Sequence, residues 1–408
     1  MKKYLFILMA AGCLAVACEK KGEVLSPDDQ KSVIEETAVQ AVEAVDLDNW
    51  KGTADMLVTS AGVVVNSQPD DAMQDWIGSL NDLFVVSNTG KDYEVMEVDL
   101  TKITGEFSVL DDGKIVRTNT RSGLSLGYYL PDDTFCKATA TIKNSSTKIL
   151  IDEDYDREYD GSGNVTKETL RGQQWLIVPS FVDVKLTAAG KTEVRAKLTS
   201  DFEIAGNEPR PTDKLSATAD ISFGGYNLYI SRAKYSDTNV ELKANFKKGK
   251  TSILSATFSA KGKLAFEEDD DLDIMSTDGK VNVTASLMET VDLKGTLDWT
   301  AYKRAQNSMN PEAAPTEEGF KAYAAALEKA VNVAVYVDGT AQARLGFEPV
   351  VENDNFDLYT VIRFEDGSAY QMAEEFFNPA DYGRVLEAVS NLLAKVTEYF
   401  DGIKIVDE

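Results

Sequence analysis

Histidine is absent from all 408 residues. Without an imidazole there is no Ser-His-Asp or Cys-His nucleophile system, no His-based metal cage, and no side chain that titrates near neutrality unperturbed. Cysteine is almost absent too: Cys13 and Cys18 lie at the N-terminus, which leaves Cys136 alone in the body of the chain. A single thiol makes no internal disulfide, so stability rests on packing. Cys136 sits in the strand-like Thr134-Phe135-Cys136-Lys137-Ala138-Thr139, with no histidine to activate it, and reads as a small core hydrophobe. Glycine-rich phosphate loops of either common spacing are missing, so nucleotide binding has no support. Basic residues are in deficit, 42 against 68 acidic, for a net charge of -26. Nucleic acid and anionic lipid surfaces recruit Lys and Arg, and neither is expected as a partner on the charge balance. Carboxylate chemistry, Lys or Tyr bases and oxygen-ligated metals remain open, since none needs histidine.

The rest of the composition is that of a folded protein, 43% hydrophobic and 27% charged, long enough for one large or two medium domains. Lys2 and Lys3 precede an apolar stretch from Tyr4 to Ala17, too short for a bilayer span, which ends in Ala15-Val16-Ala17-Cys18. This resembles a bacterial lipoprotein signal peptide and implies removal of residues 1–17 and lipidation of Cys18. Cleavage at the rival Cys13 would leave Leu14 to Ala17 as an apolar remnant, whereas polar sequence starts directly after Cys18. Loss of Lys2 and Lys3 leaves 40 basic residues against 68 acidic, a mature charge of -28. The tether over 18–25 holds about seven residues beyond the cysteine and spans at most about 25 Å, which keeps the folded body close to the membrane. Surface-exported lipoproteins of Bacteroidetes tend to carry an acidic cluster after the cysteine. Glu19-Lys20-Lys21-Gly22-Glu23 does not resemble one, so the expected location is the cell envelope, on the periplasmic face of an outer membrane.

Residues 26–92 read as a helical region. Ser26-Pro27-Asp28-Asp29 is a helix start, with a Ser cap, Pro at the first position and acids in the first turn. Ile34, Ala38, Ala41 and Val45 then recur at helical spacing, and further helices are expected over 48–60 and 70–83, the latter with Met73, Trp76, Ile77 and Leu80 on one face. Over 93–306 the period drops to two, as in Val182-Asp183-Val184-Lys185-Leu186, Val194-Arg195-Ala196-Lys197-Leu198 and Val240-Glu241-Leu242-Lys243-Ala244. Turn signals at 111–114, 160–163, 189–191, 224–225, 247–250 and 278–280 separate the runs. Short connections between one-sided strands predict an antiparallel meander of ten or more strands. Its buried face carries small residues such as Ala217, Ala219, Ala244, Ala256 and Ala260, which admit a packed helix or a ligand cavity. Residues 307–408 complete the same domain: a loop with Pro311 and Pro315, a helix over 317–332, strand-like runs over 333–347 and 356–364, and a last amphipathic helix from Pro379. The fold class is therefore α+β, a large antiparallel meander packed against N- and C-terminal helices, not the regular alternation of a Rossmann fold or TIM barrel.

Candidate sites are sparse. Glu267-Glu268-Asp269-Asp270-Asp271-Leu272-Asp273 gathers oxygen ligands of the kind Ca²⁺ uses, with Asp269, Asp270, Asp271 and Asp273 as the possible ligands. The run lacks the glycine of a hand-shaped calcium loop and reads first as a solvated loop, so no metal or cofactor is expected. The second acidic run, 152–160, leads into Gly161-Ser162-Gly163-Asn164 and reads as a protruding hairpin. Tyr226, Tyr229 and Tyr235, and Trp299 with Tyr302, could stack sugar rings or simply pack on the sheet.

Arg363-Phe364-Glu365-Asp366-Gly367-Ser368-Ala369-Tyr370, Glu374-Glu375-Phe376-Phe377 and Asn227-Leu228-Tyr229-Ile230-Ser231-Arg232-Ala233-Lys234-Tyr235 are similar to stretches of uncharacterised lipoproteins of Bacteroidetes. That resemblance implies a location and an architecture, and brings no activity or catalytic residue with it. The sequence favours a non-enzymatic envelope lipoprotein that binds an apolar or glycan ligand or another envelope protein. An enzyme acting on polysaccharide through two carboxylates and a purely structural scaffold are the alternatives.

Overall fold

The period-two sequence builds mostly antiparallel sheet, joined by a few helices. The computed structural model describes residues 24–46, 53, 84–87, 93–110, 115–119, 123–130, 132–204, 206, 213–265, 275–308, 316–352 and 355–400. The signal sequence with Cys18, nearly all of the helical stretches expected over 48–60 and 70–83, and the run with Asp269, Asp270, Asp271 and Asp273 lie outside the described residues. The chain divides into two compact units, one of Met1–Leu47 with Gly225–Glu398, the other of Asp48–Gly224 with Tyr399–Glu408.

The unit centred on Asp48–Gly224 holds β1 (Phe84–Ser87), β2 (Glu94–Val98), β3 (Gly105–Val109), β4 (Ile115–Asn119), β5 (Leu124–Tyr129), β6 (Phe135–Tyr159), β7 (Val165–Ala188), β8 (Lys191–Glu203) and β9 (Lys214–Phe223). β6 and β7, 25 and 24 residues long, form one hairpin from Cys136↔Ala188 out to Tyr159↔Val165. Along its other edge β7 takes β8 antiparallel over 181–188 and β2 parallel over 172–176, while β3 pairs parallel with β5. These parallel pairs correct the expected uniform meander. The alternation within β2 and β3 marks them as strands, but it carries no information about which later strand leaves an edge free. β1, which pairs with β2, likewise stands in a region expected to be helical. Ala189-Gly190 closes β7–β8 with both residues at positive φ, 47° and 81°, the twist a two-residue hairpin needs. The buried core gathers Tyr128, Cys136 and Leu186, with Leu126, Ala138 and Val194 packed against them. Cys136 is thus a core residue, and burial raises the pKa of its thiol.

The other unit opens with α1 (Pro27–Ala44) and continues through β10 (Tyr226–Ser236), β11 (Asn239–Lys248), β12 (Thr251–Ala265), β13 (Met275–Leu287), β14 (Val291–Asp298), α2 (Trp299–Ser308), α3 (Glu317–Ala330), β15 (Val331–Val337), β16 (Thr340–Glu352), β17 (Asn355–Phe364), β18 (Ala369–Gln371) and α4 (Gly383–Phe400). β10 to β18 pair in order, each antiparallel to the next. The α1 start is built as its sequence requires: Ser26 Oγ accepts from Asp29 N at 3.2 Å, ahead of Pro27. Three expectations are corrected. The Asp278-Gly279-Lys280 signal is no turn but lies inside β13, where Gly279 faces Gly262 of β12. Two glycines opposite each other mark an irregularity within paired strands, and the register shifts directly after Gly262. Trp299–Ser308 is helix where strand was expected, and the single run expected over 333–347 is a hairpin closed at Asp338-Gly339. Val361 and Ile362 are adjacent, hence on opposite faces, and both are buried, so β17 is covered on both sides at that level. Among the described residues no helix is long and apolar enough to cross a membrane.

Candidate functional site

The strand register sorts side chains of the Asp48–Gly224 unit into two faces. One row of pairs runs Leu124↔Ala140, Ala140↔Val184, Val184↔Ala196 and Ala196↔Ile221 across β5 to β9; the next runs Ile142↔Val182, Val182↔Leu198 and Leu198↔Ala219. Every member is apolar, and several are alanine, so the surface is smooth and shallow. Val184 and Leu198 are its exposed members, at 39% and 41%, and the other seven are half-buried. The Ala-rich stretch of the other unit behaves similarly at Leu242, 39% exposed between Ala233 and Phe258. Sequence reasoning put these residues on the buried side of their strands.

The opposite face is held by charge. Arg195 makes a two-pronged contact with Asp183, at 2.9 and 2.8 Å, and this hydrogen-bonded pairing holds the Asp183 carboxyl below the usual range. Lys143 and Lys197 approach the Phe181 ring at 5.4 and 5.7 Å. Back on the apolar side, two positions beyond Ile142, where β6 bulges over 144–148, Asp99 Oδ1 accepts from Thr101 N at 2.9 Å, Thr101 Oγ1 at 2.6 Å and Asn144 Nδ2 at 2.7 Å. Nothing in the sequence pattern joined Asp99 to Asn144, which lie 45 positions apart.

The aromatic candidates do not form one platform. Tyr226 is buried, its ring stacked on Phe246 and its hydroxyl bound to the backbone at the end of α1. Tyr229 is exposed on the opposite side of β10, and Tyr235 is half-buried on the side of Tyr226, beyond the β-bulge at 230–232. Trp299 stacks on Tyr302 within α2, centroids 5.4 Å apart, with the Lys303 ammonium 5.7 Å from the Trp299 ring.

The run 152–160 forms the outer part of the β6–β7 hairpin, and most of its carboxylates are engaged within the hairpin itself. Glu158 pairs with Lys167, Asp156 with Arg171, and Glu153 accepts from Tyr155 and Gln173. Asp160 accepts from Ser162 N and Asn164 N, which pulls its pKa down and fixes the turn. Among the described residues no group of three or more Cys, Asp or Glu could hold a metal ion. No family model, curated protein or solved structure matches the chain.

Proposed function

We propose that this protein is a non-enzymatic lipoprotein of the cell envelope, anchored through Cys18 on the periplasmic side of an outer membrane, whose open apolar sheet face takes an apolar ligand. The observation that carries the reading is the exposure of Val184 and Leu198 within an otherwise aliphatic row. Covering that row with an acyl chain would remove apolar surface from water at about 25 cal/mol per Å². The alanines leave room for a chain to lie flat, and the absence of polar groups from the row favours a ligand recognised by shape and hydrophobicity. Lipidation would hold the face within reach of bilayer lipid.

Native mass spectrometry of protein purified from its own host tests this. The expected result is an added mass of a lipid that organic extraction removes. Protein that stays at its bare mass, and takes up no fluorescent fatty acid, overturns the reading.

A further inference from the structure

The polar face of the β10–β13 sheet inverts the sign of the chain. The side chains that alternate away from Leu242, Ala244 and Phe246 include six cations, Arg232, Lys234, Lys243, Lys247, Lys261 and Lys280. Within β10 to β13 the paired positions on this face hold one acid, Glu241, already engaged by Arg232 at 2.8 Å, and the rows continue onto β14 with Asp292, Lys294 and Asp298, the last directly opposite Lys280. This occurs in a protein whose acidic residues outnumber its basic ones by 68 to 42.

The register makes the arrangement costly. Arg232 stands directly opposite Lys243, and Lys261 directly opposite Lys280. Like charges in that position destabilise a sheet, and a chain rich in carboxylates has the residues to avoid it. An anion lying along the face would turn repulsion into attraction.

Around the cations the surface is hydroxyl and amide: Asn245, Ser255, Thr257, Ser259, Asn282 and Thr284 share it. We propose that this face binds an acidic polysaccharide, with the ammonium groups on carboxylates or sulfates and the Ser, Thr and Asn side chains on sugar hydroxyls. The alternatives fit less well. Single-stranded nucleic acid needs aromatic platforms, and the face offers Tyr229 alone. A bilayer surface needs apolar side chains among the cations, and these rows carry no aliphatic residue. The proposal does not depend on the apolar row of Val184 and Leu198, which belongs to the other unit.

Affinity electrophoresis of the full chain through gels containing heparin, polygalacturonate or neutral dextran tests it. Both acidic polymers should retard the protein, dextran should not, and added salt should weaken the effect. Combining Lys243→Gln with Lys261→Gln should weaken retardation roughly tenfold without lowering Tm, since both like-charge pairs are relieved while Lys280 keeps Asp298 opposite it. If the double variant does not fold, K243Q and K261Q alone should each weaken binding. No retardation, or equal retardation of the folded variants, overturns the proposal. Tighter binding of single-stranded DNA or phosphatidylserine vesicles than of either acidic polymer overturns the ligand class. None of these outcomes bears on lipid uptake.

Discussion

Tyr226 secures α1 to the sheet with a single hydroxyl. That oxygen accepts from Asp46 N and donates to Ala44 O, each at 2.7 Å, just where the helix runs out of intrahelical partners. The ring is held by Phe246, and the Lys248 ammonium lies 5.4 Å from its centroid. Tyr226→Phe should keep the packing and lose about 1 kcal/mol, because the hydroxyl's hydrogen bonds to the part-buried backbone of Ala44 and Asp46 are removed. A lower denaturant midpoint at unchanged slope would show it. Asp99 makes a comparable contribution by charge. Burial pulls its pKa up, but the hydrogen bonds from Thr101 and Asn144 together outweigh this and hold the carboxyl below its ordinary value. A carboxylate whose folded-state pKa is depressed stabilises the fold above its unfolded pKa and loses that contribution as pH falls through the folded one. Asp99→Asn should therefore be less stable than the parent near neutrality, with the gap closing below about pH 4. Denaturation midpoints over a pH series check this, and a constant gap would assign the effect to shape instead of charge.

At the scale of elements, α3 reaches the sheet through one missing side chain. A Cβ on Gly346 would lie 2.5 Å from Arg363 Nε and 2.9 Å from Glu328 Oε1, the pair that joins helix to strand at 3.1 Å. Glu328 also accepts from Phe347 N at 3.2 Å. Gly346→Ala should cost about 1 kcal/mol by displacing that pair, and the cost should shrink in a Glu328→Ala background, a coupling that a double-mutant cycle measures. The starts of α1 and α3 and most strands were legible because each rests on local chemistry: the Ser26 cap, the alternation of Val194 to Leu198, the glycine turn at Ala189-Gly190. The helix expected from Pro379 instead opens as a 3-10 turn over Pro379–Tyr382, with α-helix from Gly383. What local chemistry does not encode was not legible. The parallel partners of β2 and β3 depend on strands far along the chain. Gly279 carries a turn dipeptide but is held extended by pairing with Gly262. Trp299-Thr300-Ala301-Tyr302 has strand-forming residues yet turns helical, with Asp298 Oδ1 accepting from Ala301 N at 2.9 Å to start the helix.

At the scale of the whole molecule, alternation tells which residues share a face but not whether the face is covered, and the proposed function turns on that distinction. Val184 and Leu186 are neighbours on one strand and point the same way, yet Leu186 is only 6% exposed while Val184 is 39% exposed. The same apolar surface is therefore core at one end and solvent-facing at the other. A charge placed at Leu186 has to be buried beside Tyr128 and Cys136, at a desolvation cost that few domains survive, so Leu186→Glu should abolish cooperative unfolding. A charge at Val184 or Leu198 can reach water. Combining Val184→Glu with Leu198→Glu should leave the unfolding transition near that of the parent and eliminate uptake of a fluorescent fatty acid. If the double variant instead unfolds like Leu186→Glu, the row is part of a closed core and has no ligand to lose. A folded double variant that still takes up the probe would place the ligand elsewhere. The small size of Ala140, Ala196 and Ala219 gives the experiment its resolution, because a carboxylate beside them has no bulky neighbour to shield it from an acyl chain lying across the row.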